Sequence, residues 1–217
     1  MKREIIITSD GSTTIHLPEL NEHYHSTHGA IQEAYHVYIQ QGLKAIDSKE
    51  ISILEIGFGT GLNCFITYLE TDKIIDYVGV EAYPVNVDEI AKLNYVSELK
   101  ATSKKAVFEQ MHVCNWEEKC VISNTFSLTK QQKFFSELQD ENKYDLIYFD
   151  AFGPEKQPEL WTKEVFEKMH LALKENGILV TYASKGDVKR AMKAAGFKLK
   201  RLPGPIGKWH MLRATKI

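Results

Sequence analysis

Ile53-Leu54-Glu55-Ile56-Gly57-Phe58-Gly59-Thr60-Gly61-Leu62-Asn63 decides the fold. A short apolar run carrying one acid leads into three glycines at alternate positions, then into helical spacing over Leu62–Glu70. That pattern is a strand, a tight turn and a helix. Glycines at such a corner permit unusual φ values and let a ligand approach the backbone. The helix N-terminus adds the positive end of a dipole. Twenty residues after Gly61, at the end of the next apolar run, stands Glu81. A carboxylate there can accept hydrogen bonds from ribose hydroxyls.

Outward from this corner, apolar runs recur at Ile51–Ile56, Ile74–Val80, Ala106–Met111, Asp145–Phe149 and Ile178–Tyr182. Helical spacing separates them at Leu62–Glu70, Val85–Leu93, Thr162–Leu173 and Asp187–Ala195. Near-continuous apolar strands alternating with helices predict an α/β fold with a parallel sheet covered on both faces. Right-handed crossovers make it doubly wound, with ligands at the carboxyl ends of the strands. Phe197–Leu202 and Trp209–Thr215 are joined by only six residues, so they form an antiparallel hairpin. The expectation is a mostly parallel seven-stranded sheet with an antiparallel C-terminal strand. Cys120–Leu138 reads as an insertion. At the start, Arg3–Thr8 and Ser12–Leu17 flank an Asp-Gly turn, and helical spacing follows over Thr27–Ile46. Residues 1–48 are thus an expected hairpin-plus-helix appendage and residues 49–217 the main domain.

Composition narrows the function classes. Of 217 residues, 43% are hydrophobic and 26% charged, too apolar for a disordered chain and too charged for a membrane protein. No apolar run approaches the roughly 18–20 residues that span a bilayer, and Ile5-Ile6-Ile7 is too short for a signal-peptide core. Three cysteines without a C-x-x-C point to a reducing cytoplasm rather than a disulfide framework or thiolate zinc site. His23, His25, His28 and His36 match no standard zinc spacing, and no metal is expected. The net charge of −2 hides ten basic residues against the single acid Asp187 in Lys185–Ile217. A one-sided positive field attracts phosphates; a solvated basic surface is the bland alternative.

Two nucleotide-type ligands compete for the glycine corner. Dinucleotide sites favour G-x-G-x-x-G, but here the third glycine falls at Gly61, one place early. Glu55 suits a pyrophosphate poorly and a cationic amino group well. S-adenosylmethionine carries an ammonium, a sulfonium and a ribose, and no phosphate. Glu55 for its amino-acid end and Glu81 for its ribose therefore favour this cofactor over a nicotinamide, with Phe58 and Asn63 sharing the same turn. A second acid lies in Phe149-Asp150-Ala151-Phe152-Gly153-Pro154. Asp150 ends its strand facing the crevice, where it can hold an amine near a transferable methyl while Phe152 and Pro154 wall a flat base. A loop-capping aspartate is the alternative.

These segments, with Tyr24-His25-Ser26 followed by Glu33, Pro158-Glu159-Leu160-Trp161, Thr181-Tyr182 with Gly186 and Arg190, and Gly204, Gly207 and Lys208, resemble a known family. It is the methyltransferase portion of the bifunctional tRNA 5-methylaminomethyl-2-thiouridine biosynthesis proteins (MnmC), stand-alone versions included. The resemblance implies a class I methyltransferase (Rossmann-like) fold with a small N-terminal appendage. It also implies methyl transfer from S-adenosylmethionine to the aminomethyl nitrogen of a modified wobble uridine in tRNA. By the same resemblance Glu55, Gly57, Gly59 and Gly61 form the cofactor turn, Glu81 binds ribose, Asp150 partners the amine, and Asn115 or Trp116 lies near the adenine. Bifunctional members continue into a flavin-dependent oxidase; ending at Ile217, this chain is expected to carry no flavin domain. Trp209-His210 stand where the family tends to have Arg-Glu.

Lys185 and Lys208 fall in turns expected at the carboxyl ends of strands, where they could rim the mouth for phosphates of a tRNA anticodon arm. Tyr24 and His25 are expected to cover the cofactor pocket, with packing against the appendage helix as the equal alternative. Phe134-Phe135 and Cys64 read as core. An aminopropyltransferase or a catalytically silent RNA-binding module are the other functions compatible with these features.

Overall fold

The computed structural model describes residues 2–217. Strands β1 (Glu4–Ile7), β2 (Thr13–Leu17) and β3 (Glu22–His23) form a small antiparallel sheet. Helix α1 (Ala30–Ala34) runs on as wider π-helical turns through Tyr35–Gln40. The main body then follows as β4 (Glu50–Ile56), α2 (Leu62–Glu70), β5 (Ile74–Val80), α3 (Val87–Ile90), α4 (Tyr95–Glu98), α5 (Lys105–Val113), β6 (Lys119–Ser123) and β7 (Phe126–Gln131). It closes with β8 (Tyr144–Phe149), α6 (Lys163–Ala172), β9 (Leu173–Thr181), α7 (Gly186–Ala194), β10 (Lys198–Pro203) and β11 (His210–Thr215).

The main sheet has eight strands in the order β10-β11-β9-β8-β4-β5-β7-β6, not the expected seven. Ala106–Met111 is not a strand. Phe108 and Met111, three apart, are both buried on one face of α5, the period of a helix. The third parallel strand is β7, inside the supposed insertion. It alternates correctly, with Phe126, Leu128 and Lys130 buried, but the lysine at the last core-facing position hid the apolar pattern. Strand β6 flanks it antiparallel, and β11 runs antiparallel between β9 and β10.

From β4 the chain winds outward to β5 and β7, then returns to build β8 and β9 on the other side. The switch point therefore opens at the carboxyl ends of β4 and β8, where a doubly wound sheet receives ligands. Backbone bonds hold that corner: Asp150 N–H donates to Ile56 O at 2.9 Å, and Gly57 N–H donates to Val80 O at 3.0 Å.

One apolar cluster lies beneath α1, α2 and α5, around Phe65, Tyr77, Phe108 and Tyr148. The other lies beneath α6 and α7, around Phe149, Phe166, Met169 and Met192. Ala30, Ala34, Val37 and Tyr38 belong to the first, so the N-terminal helix shares the main core. The small sheet is tied beside the switch point. Arg3 donates to Tyr83 O at 2.7 Å and Pro84 O at 3.1 Å and pairs with Glu89 at 3.0 Å.

Candidate active site

A cavity of about 460 Å³ opens at the switch point, within the roughly 300–1,000 Å³ typical of small-ligand sites. Its base is a run of three polar side chains. Glu55, 1% exposed at the end of β4, accepts at Oε1 from Asn63 Nδ2 at 3.0 Å and at Oε2 from the Tyr77 hydroxyl at 2.8 Å. The same Asn63 nitrogen donates to Asp150 Oδ2 at 2.9 Å. Asn63 sits in the first turn of α2, so the glycine corner itself aims it between the two acids.

Burial pushes the Glu55 carboxyl well above the usual carboxylate range, with the Tyr77 and Asn63 hydrogen bonds opposing. Asp150 is pushed up to about 7, first by burial and then by the charge of Glu33; the nearby Tyr38 hydroxyl, the bond from Asn63 and the charge of Lys208 pull the other way. Asn63 Oδ1 is buried without a hydrogen-bond partner among the described residues. A cavity floor with two acids and an unused carbonyl oxygen is short of positive charge and donors, which an ammonium-bearing ligand supplies.

The glycine corner leaves the room. Gly57 has φ 87°, and a Cβ there would lie 2.6 Å from Asp150 O, so only glycine fits against that backbone. Gly59, at φ 50°, lies under the Tyr24 ring. Glu81 accepts from Gly59 N–H at 3.0 Å and Tyr83 N–H at 2.9 Å, which fixes its carboxylate at the cavity edge. Tyr24 meets Phe152 edge-on at 5.2 Å as a roof, and burial pushes its hydroxyl up to about 12. These features fit S-adenosylmethionine: an acid for its ammonium, an acid for its ribose and aromatic walls for its base.

Tyr24, Glu55, Gly57, Phe58, Gly59, Asn63, Glu81, Asp150 and Phe152 all border the cavity. Gly61 does not; it backs onto His112, whose Cε1 would lie 2.9 Å from an added Cβ. Trp116, expected near the adenine, does not border the cavity. It stands edge-on behind Phe58 at 6.4 Å, with the buried Lys130 ammonium 4.9 Å from its ring centre. The true third strand, β7, delivers Phe134, Phe135 and Ser136 to the cavity instead. Phe134, 55% exposed and edge-on to Tyr83 at 6.0 Å, is thus wall rather than core. Reading F-x-L-x-K as a strand with a buried lysine was the signal that could have found them.

Pro154 lies beyond the lining. Lys185 pairs with Glu155 on the exposed surface. The Lys208 ammonium pairs with buried Glu33 and lies 4.3 Å from the Tyr182 ring centre. His25 also borders the cavity, between the hydroxyls of Thr14 at 3.2 Å and Thr60 at 3.3 Å, and burial pushes it down to about 4, so it is neutral. His36 instead contacts Pro203 O at 2.8 Å.

The fold and its switch-point cavity fit a methyltransferase that uses S-adenosylmethionine. Residues 97–217 match the S-adenosyl-L-methionine-dependent methyltransferase family, over half the chain, and the chain belongs to it, with S-adenosylmethionine as cofactor. It is 29% identical over 215 residues to the tRNA 5-methylaminomethyl-2-thiouridine biosynthesis bifunctional protein MnmC of Pseudomonas syringae pv. syringae, covering 92% of this chain and 32% of that protein. The MnmC of Leptospira interrogans is also 29% identical, over 210 residues, with 89% and 32% covered. This chain spans about a third of the length of these relatives. The crystal structure of MnmC2 from Aquifex aeolicus superposes with a TM-score of 0.78 at 25% identity, covering 100% of this chain and 70% of that one. Among the described residues, no helix is long and apolar enough to cross a membrane.

Proposed function

We propose that this chain transfers a methyl group from S-adenosylmethionine to the aminomethyl nitrogen of a modified wobble uridine in tRNA, converting 5-aminomethyl to 5-methylaminomethyl uridine. The observation that carries the reading is the pair of carboxyls joined by Asn63, one fit for the cofactor's ammonium and one for an acceptor amine. The likeness to the MnmC proteins supports tRNA as the acceptor. The reaction belongs to the cytoplasm, with the anticodon arm as the docking partner.

When bound, the cofactor supplies an electrophilic methyl on a sulfonium. Glu55, Gly57, Phe58, Gly59, Asn63 and Glu81 hold it, under Tyr24, which the N-terminal residues 1–48 deliver as a roof. Asp150 acts on the acceptor. A protonated amine has no free electron pair, so it must lose a proton before methylation. A carboxyl titrating at about 7 accepts that proton at neutral pH and stays hydrogen-bonded to the amine. This extends Asp150 beyond positioning to general base. Phe152 stacks the uracil. The aminopropyltransferase and silent RNA-binding readings are not favoured.

Mass spectrometry of wobble nucleosides from cells lacking the protein tests the assignment. Accumulation of the unmethylated aminomethyl nucleoside is the expected result; an unchanged nucleoside profile rejects it.

A further inference from the structure

We propose that Trp209, where the β10–β11 loop returns to β11, is a stacking platform for an unpaired base of the RNA acceptor, next to the nucleotide whose amine is methylated. The inference rests on the tRNA reading above and names a contact that reading does not contain.

Trp209 is 92% exposed, whereas Trp161 is 5% exposed and Trp116 half-buried. So large an apolar ring is rarely left fully in water on a protein that uses it only for packing. Its loop is nonetheless firmly held. Gly204 N–H donates to Trp209 O at 3.1 Å, and Lys208 N–H donates to Pro205 O at 2.9 Å. Pro205 is buried, His36 contacts Pro203 O at 2.8 Å, and Lys208 is anchored on Glu33 and the Tyr182 ring. A rigid backbone presenting a free aromatic ring reduces the ordering cost of binding.

Topology puts the loop on the cavity side. β10 and β9 both run antiparallel to β11, so β10 is parallel to β9 and its carboxyl end shares the edge where the cavity opens. A continuous path then leads inward: Lys208, beside Trp209, covers Tyr182, whose hydroxyl donates at 2.8 Å to the carbonyl of Ala151, next to Asp150.

The surroundings select the partner. Lys200 and Arg201, exposed on the half of β10 that leads into the loop, supply positive charge on its side, while Lys185 and Arg190 are paired with Glu155 and Asp187. Positive charge for a phosphate backbone beside an aromatic face for a base is the chemistry of single-stranded nucleic-acid sites. A protein partner fits less well. Ile206, 63% exposed, is the large apolar neighbour on the same loop, and two side chains fall far short of the roughly 1,000 Å² that a specific protein interface buries.

The test uses an anticodon stem-loop carrying 5-aminomethyl uridine at the wobble position. Trp209→Ala should raise the KM for this RNA about tenfold, the scale of one lost base stack. kcat should stay within twofold and S-adenosylmethionine affinity should be retained. Trp209→Phe should recover most of the loss, and RNA should quench the tryptophan emission of the native protein. An unchanged KM in Trp209→Ala overturns the proposal while leaving the methyltransferase reading intact. A changed sedimentation mass in that variant, with KM unaffected, overturns it in favour of pairing between copies. A native protein that methylates no such RNA fails at the underlying reading, and the stacking proposal falls with it.

Discussion

Asn63 stands 2.9 Å from Asp150, its side-chain nitrogen donating to Oδ2 while its other hydrogen bond, at 3.0 Å, goes to Glu55. One amide thus sets the orientation of both acids, and both titrate from the same anchor. Glu55 ends β4, Asp150 follows β8 and Asn63 opens α2, so three elements meeting at the switch point build the pair.

Asn63→Ala removes this anchor. The bond from Asn63 holds the Asp150 carboxyl down, so its loss moves the acid limb of the pH–rate profile upward. kcat should fall about 10- to 100-fold, since removing a hydrogen bond to a charged group costs about 1.5–3 kcal/mol. A pH series with saturating acceptor reads both effects; an unmoved acid limb contradicts the anchoring role.

Glu55→Gln keeps shape and removes charge. Asn63 and Tyr77 remain available to the amide, but the cofactor's ammonium loses its counter-ion. The dissociation constant for S-adenosylmethionine should rise by roughly 10- to 100-fold, measured by calorimetry.

Asp150→Asn should lower kcat by about 10²–10⁴, the usual contribution of a positioned general base. In the native protein kcat/KM should climb as pH rises through about 7, because the deprotonated carboxyl is the active form. Stability runs oppositely. A buried carboxyl raised to about 7 costs nothing below the unfolded value near 4 and costs progressively more as pH climbs toward 7. Asp150→Asn should therefore be more stable than the native protein at pH 8, by up to about 4 kcal/mol, with the gain vanishing below about pH 4. Thermal melts across pH check the sign.

Lys208→Met leaves Glu33 buried and unpaired. Stability should drop by about 3 kcal/mol, and Glu33→Gln in the same chain should restore most of it. The Lys208 charge also holds Asp150 down, so the single variant should shift the acid limb of the rate profile upward. Denaturant titration and pH profiles of the two variants separate these effects.

Much of this was legible in residues 53–63. The glycine corner announces its turn because each glycine has a positive φ, and Glu55 near the end of β4 and Asp150 just after β8 stand out against strands that are otherwise mostly apolar. The third parallel strand was not legible. Lys130 is fully buried with its ammonium on the His112 carbonyl and against the Trp116 ring, a tertiary arrangement that no alternation pattern announces. Losing β7 moved the aromatic wall from Phe134 to Trp116. The partner of Lys208 was illegible for a related reason: buried Glu33 lies 175 positions away, and charge counting cannot see a partner so distant.

The most direct test is methylation by the purified protein of tRNA bearing 5-aminomethyl uridine at the wobble position, with the nucleosides weighed afterwards. The account predicts that S-adenosylmethionine converts that nucleoside to its methylaminomethyl form, with native protein active and Asp150→Asn nearly inert. An aminomethyl nucleoside left intact by native protein that binds S-adenosylmethionine, or equal conversion by Asp150→Asn, would contradict it.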